Sequence, residues 1–195
     1  MVDSFLVSTG IVALAEIGDK TQLLAFVLAA RFRKPWPIVW GILIATLANH
    51  FLAGALGELV TRLVPPEGLR WILGLGFIAM AAWIMIPDKL DEDEDGTSGL
   101  ARHGVFAATL IAFFLAEMGD KTQIATAGLA ARYGELFWVV AGSTLGMMIA
   151  NVPAVFLGEK AATALPVRWV HAAAAVLFVG VGIATLMGAG EGFGF

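Results

Sequence analysis

Hydrophobic positions along this chain gather into six long stretches, at about residues 4–30, 36–61, 69–87, 104–131, 136–158 and 167–189, separated by short polar or Pro/Gly-marked breaks. Each stretch is long enough to cross roughly 30 Å of hydrocarbon as an α-helix rising about 1.5 Å per residue. The pattern predicts an all-α membrane protein with six transmembrane helices. Spans and short loops take up nearly every residue, so no soluble catalytic domain fits. Function has to lie within the helices or their connections. The start MVDS has no basic segment and the first apolar stretch is long enough to span, so the first helix is expected to be kept and not cleaved as a signal peptide.

Composition agrees with this pattern: of 195 residues, 59% are hydrophobic and 14% charged, and the mean hydropathy is +0.85. Cysteine is absent, which excludes a disulfide, a thiolate metal ligand and thiol redox chemistry and leaves oxygen ligands as the available metal chemistry. The net charge of −4 offers no basic surface to nucleic acid. Acids cluster in the segment DKLDEDEDG, Asp88 to Gly96, which reads as a solvated accessory that gathers cations at most. Seven basic residues (Arg31, Arg33, Lys34, Lys89, Arg102, Lys160, Arg168) fall on one side of the predicted spans and three (Arg62, Arg70, Arg132) on the other. By the positive-inside rule both termini lie outside and the acidic segment is cytoplasmic. Trp36, Trp40, Trp71, Trp138 and Trp169 fall near predicted helix ends, as interfacial anchors do.

The polar exceptions inside the apolar stretches repeat. AEIGDKTQ, Ala15 to Gln22, returns as AEMGDKTQ, Ala116 to Gln123, at an offset of 101 residues. The same offset matches Ala29-Ala30-Arg31 to Ala130-Ala131-Arg132 and Leu56-Gly57-Glu58 to Leu157-Gly158-Glu159; Ala48-Asn49 matches Ala150-Asn151 after a one-residue slip. The chain therefore reads as two three-helix repeats, residues 1–87 and 104–195, joined by an acidic linker at 88–103. Three crossings are an odd number, so the second repeat enters from the opposite side and the repeats are inverted. Inverted repeats are a recurrent transporter design with the site at their interface near the midplane, and both motifs lie at the centres of their stretches.

A charged side chain at a helix centre costs about 2.5–3.5 kcal/mol on insertion scales, and each motif carries three. In a continuous helix Glu16, Asp19 and Lys20 share one face, with Thr21 and Gln22 turned partly away. Facing inward, the motifs bring together Glu16, Asp19, Glu117 and Asp120. With Lys20 and Lys121 nearby the cluster sums to −2, which suits one divalent cation. Empty, it takes up protons as a coupled unit, so cation and proton compete for the same oxygens. Thr21, Thr122, Gln22, Gln123, Asn49 and Asn151 are candidates for added neutral oxygens. An all-oxygen shell favours Mn²⁺, Ca²⁺ or Mg²⁺ over Zn²⁺ or Cu⁺. Gly18 is a candidate helix breaker, with Asp19 capping a restarted half-helix and Gln22 as its capping-box partner, a reading compatible with the site. A structural Glu–Lys pair within each helix is the plainer alternative, disfavoured by repetition at matching depth. His50 is a candidate proton relay, but its repeat counterpart is Val152 or Asn151.

EIGDKT and EMGDKT both resemble the signature E-φ-G-D-[KR]-[TS], where φ is hydrophobic, of the GDT-type cation/proton antiporters. That family includes Golgi and chloroplast Mn²⁺/Ca²⁺ transporters and short bacterial manganese exporters. The resemblance covers the whole chain. It implies a transporter, not an enzyme, with no cofactor: Mn²⁺ or Ca²⁺ as transported substrate, H⁺ as coupling ion, and metal coordination by Glu16, Asp19, Glu117 and Asp120, supported by Lys20, Lys121, Thr21 and Thr122. Two rivals fit less well. An intramembrane aspartyl protease needs two aspartates in unlike contexts, whereas these contexts are identical. A lysine-exporter-type small-solute exporter shares the inverted plan but leaves two full acid sets without a role.

Overall fold

A computed structural model of the protein describes residues 1–86, 104–157 and 166–188. Among these residues the fold is entirely helical: α1 (Val2–Glu16), α2 (Lys20–Phe32), α3 (Pro35–Leu63), α4 (Pro66–Ile84), α5 (Val105–Glu117), α6 (Lys121–Tyr133), α7 (Leu136–Leu157) and α8 (Val167–Leu186). The acidic segment Asp88 to Asp95 and the Gly158-Glu159 counterpart of Gly57-Glu58 lie outside the described residues.

Four helices, α3, α4, α7 and α8, are long and apolar enough to cross a membrane, with 29, 19, 22 and 20 residues. They fall on four of the predicted stretches. The stretches 4–30 and 104–131 are each broken in two, giving α1, α2, α5 and α6 with 15, 13, 13 and 13 residues. At about 1.5 Å per residue these pieces are roughly 20 Å long, too short to cross singly.

The break has a local cause. After Glu16 the backbone is extended at Ile17 (φ −65°, ψ 115°), Gly18 takes φ +84°, and Asp19 is extended again (φ −81°, ψ 168°) before the helix restarts. Met118 (φ −64°, ψ 118°), Gly119 (φ +78°) and Asp120 (φ −78°, ψ 167°) repeat the sequence of angles. Only glycine takes such a positive φ at little cost. The continuous helix through EIGDK is thereby corrected, and with it the single face shared by Glu16, Asp19 and Lys20.

The helices of the two halves interleave. α1 lies along α7 and α5 along α3; α2 also packs on α7, and α6 on α3. Each broken pair is thus clasped by the long helix of the other half, and α3 and α7 pack on each other. Small residues permit the close approach. A Cβ at Gly142 of α7 would stand 2.4 Å from the Phe5 carbonyl of α1, and one at Gly41 of α3 would stand 3.0 Å from the Phe106 carbonyl of α5. Both pairs are related by the 101-residue offset. One apolar cluster, including Leu28, Ile42 and Phe113, fills the space among α2, α3, α5 and α7. A second, including Ile11, Phe77, Leu129 and Phe178, joins α1, α4, α6, α7 and α8. The five tryptophans expected as interfacial anchors are all exposed.

Candidate cation site

The breaks bring the two motifs together in the interior. Glu16 and Glu117 close α1 and α5 and are fully buried; Asp19 and Asp120 precede α2 and α6 and are 4% and 6% exposed. One ligand atom from each of Glu16, Asp19 and Asp120 lies within 4.8 Å of the others. Oxygens bound to one ion at about 2.1–2.6 Å are separated by no more than about twice that distance, so the three are spaced as ligands of a single cation. Glu117 stands outside this trio but within electrostatic range of Asp19, Asp120 and Glu16. Without a cation, two carboxylate charges 4.8 Å apart repel by about 3 kcal/mol at an effective dielectric near 20.

Hydrogen bonds hold the trio in place. The Thr21 hydroxyl donates to Glu16 Oε2 at 2.5 Å, and the Thr122 hydroxyl to Glu117 Oε2 at 3.2 Å. The other oxygen of each glutamate, Oε1, has no hydrogen-bond partner among the described residues. Gln22 accepts from the Gly18 N–H at 3.0 Å, and Gln123 from the Gly119 N–H at 2.6 Å. This is a modified capping box: the glutamine reaches back to the glycine, one residue before the N-cap, and neither aspartate side chain makes a capping bond. The aspartate oxygens are thereby kept for the interior. At each break a helix carbonyl end meets a helix N–H end, an arrangement suited to ions.

The break also turns Thr21 and Gln22 inward, against the expectation for a continuous helix: both are buried, and the Gln22 amide donates to the Ala150 carbonyl of α7 at 2.9 Å. Gln123 makes the corresponding tie to α3, its amide 3.5 Å from Asn49 Oδ1, while Asn49 donates to the Phe114 carbonyl at 3.0 Å. Both glutamines and Asn49 are therefore occupied as braces. Asn151 differs: its amide donates to the Met147 carbonyl at 3.1 Å, while its buried oxygen has no partner among the described residues.

Lys20 Nζ approaches Asp120 Oδ1 of the other motif at 3.9 Å, so this ion pair joins the two halves and is not the Glu–Lys pair within one helix that the plainer reading required. Lys121 donates to the Ile86 carbonyl at 2.7 Å, with its ammonium 6.0 Å from the centre of the Trp83 ring. His50 is fully buried, and neither ring nitrogen has a partner among the described residues. Sequence reasoning missed His171, whose Nε2 lies 2.9 Å from the Ile17 carbonyl at the first break. Its only sequence signal is another basic residue, Arg70, at the 101-residue offset.

A helical membrane protein with buried carboxylates spaced for one divalent ion belongs to the class of cation transporters. The family model for the divalent cation/proton antiporter GDT1 matches residues 4–92 and 105–192, and the chain belongs to that family. The family is one of transporters and not of enzymes, so the metal is substrate and the protease reading falls. The chain is 51% identical over 180 residues to a Vibrio cholerae serotype O1 protein named "Putative manganese exporter", covering 92% of this chain and 88% of that protein. It is 29% identical to GDT1-like protein sll0615 of Synechocystis, over 91% of this chain and 94% of that protein. With GDT1-like protein 5 of Arabidopsis thaliana it shares 25% identity over 96% of each. No solved structure matches the chain.

Proposed function

We propose that the protein exports Mn²⁺ from the cytoplasm in exchange for protons, through one midplane site shared by two inverted three-helix repeats, 1–87 and 104–195, with 88–103 as their cytoplasmic linker. In this reading both termini lie outside the inner membrane of a bacterium. The observation that carries it is the trio Glu16, Asp19 and Asp120, which draws ligand atoms from both motifs to within 4.8 Å. Glu117 completes the anionic set, Thr21 and Thr122 orient the glutamates, and Asn151 offers a neutral oxygen. The name of the Vibrio cholerae relative supports manganese as substrate. Ca²⁺ is the alternative, since the same hard oxygens suit it.

The test is Mn²⁺ flux in proteoliposomes under an imposed pH gradient, with Ca²⁺ in parallel. Expected is Mn²⁺ movement against the proton gradient, abolished by both Glu16→Gln and Glu117→Gln. Flux that ignores the pH gradient, or that survives both substitutions, removes the shared-site antiport.

A further inference from the structure

The two breaks are matched in sequence but are covered unequally by the described residues. At the first, α8 closes in: a Cβ on Gly18 would stand 2.5 Å from the Val167 side chain, and His171 Nε2 lies 2.9 Å from the Ile17 carbonyl. At the second, a Cβ on Gly119 would meet nothing within 4 Å among the described residues, and Met118 is 57% exposed. The lysines divide the same way. Lys20 faces Asp120 inside the site, whereas Lys121 is drawn to the Ile86 carbonyl and the Trp83 ring at the end of α4.

Helix packing carries the same bias. α8 packs on α1 and α4 on α6, but the repeat-related pairings, α4 with α5 and α8 with α2, scarcely occur among the described residues. In an inverted arrangement α1, before the first break, and α6, after the second, occupy the same half of the membrane. Among the described residues, the α4–α8 pair therefore leans mainly on that half of the core. It is also built to stay together: a Cβ at Gly74 would stand 3.2 Å from the Gly182 carbonyl, and one at Gly182 would stand 2.9 Å from the Gly74 carbonyl.

The 101-residue offset converts each present contact into a second one. His171 on Ile17 becomes Arg70 on Met118; Lys121 on Ile86 becomes Lys20 on Met187; Lys20 facing Asp120 becomes Lys121 facing Asp19. We propose that the α4–α8 pair moves as a unit between two repeat-related positions, that His171 and Arg70 alternate as the side chains that close the first and second breaks, and that Lys20 and Lys121 take turns as the ammonium inside the site. The structure holds one of these positions. This inference rests on the shared-site antiporter reading and adds the moving part and its contacts. Identical motifs in unequal surroundings are what a two-position device displays when captured in one position.

Because the chain has no cysteine, linkage can be read directly in an otherwise native background. Ile17→Cys with His171→Cys reports the present position, and Met118→Cys with Arg70→Cys the other. Ile17→Cys with Val167→Cys and Met118→Cys with Pro66→Cys serve as second pairs should a variant fold poorly. Membrane vesicles are treated with an oxidant or a short bis-maleimide. Expected is linkage within both kinds of pair, complete loss of Mn²⁺ flux on linkage, recovery on reduction of the disulfide, and never both linkages in one molecule carrying both pairs. Variants that transport Mn²⁺ when reduced but never link Met118 to α4 overturn the proposal, as does simultaneous linkage of both pairs. A reconstituted wild type that moves no divalent cation overturns the antiporter reading instead, and the linkage pattern still decides the motion.

Discussion

Glu16→Gln separates the two energies that meet in the carboxylate trio. Glutamine keeps the shape and a carbonyl for the Thr21 hydroxyl, and its amide takes the place of Oε1, which has no hydrogen-bond partner among the described residues. The change is therefore one charge and one ligand oxygen. Glu16 takes part in two of the three carboxylate pairs within 4.8 Å. Each pair costs about 3 kcal/mol when both members are charged, so the empty variant is relieved by up to about 6 kcal/mol, less in proportion to the protons the empty cluster already holds. Binding moves the other way: losing one charged partner from a buried ionic site costs about 3–5 kcal/mol, roughly 10²–10⁴-fold in Kd. At Mn²⁺ near 100 times the native Kd, bound ion stabilises the wild type by about 2.7 kcal/mol and the variant by about 0.4 kcal/mol or less. Thermal unfolding of detergent-purified protein, with and without Mn²⁺, reads both effects. Expected is a higher Tm for the empty variant and loss of the Mn²⁺-dependent rise. A variant with an unchanged or lower empty Tm and a full Mn²⁺ response refutes the reasoning, because the trio is then neither crowded nor the binding site.

Gly18→Ala and Gly119→Ala carry the same backbone strain, about 1–2 kcal/mol for an L-residue at positive φ, but only Gly18 also meets Val167. The first substitution is expected to lower Tm more than the second; equal losses count against the unequal cover of the two breaks. Gln22→Leu removes the acceptor for the Gly18 N–H and the donor to the Ala150 carbonyl, and is expected to cost about 2–4 kcal/mol in denaturation experiments together with a large loss of flux. Retention of both stability and flux would show that the Gln22 brace does not position the site.

The doubled EIGDKTQ and EMGDKTQ were visible in the chain because charges in an apolar stretch are costly enough to demand a reason. Their meeting in the interior follows from the same cost. The form of the motif helices was harder to read: a glycine within an apolar stretch is tolerated in a helix at about 1 kcal/mol, and only the angle at Gly18 shows that the helix stops there. From that stop come the inward turn of Thr21 and Gln22 and the use of both glutamines as braces. His171 left no local trace because its contact with Ile17 spans 154 residues. The unlike roles of Lys20 and Lys121 could not be read at all, since identical motifs differ here only in the helices that lie beside them.

The clasp of each broken helix pair by the other half bears on how the protein is made. α1 and α2 find their main cover on α7, which begins at Leu136, 120 residues after Glu16. At about 5–20 residues per second the ribosome needs on the order of ten seconds to supply it. During that interval Glu16 and Asp19 have been made but the helix that shields them has not, and two pieces of roughly 20 Å must be held by the insertion machinery or by water within it. The first half of the chain thus waits for a partner from the second, and a change at the motif is open to quality control before there is a site for it to damage.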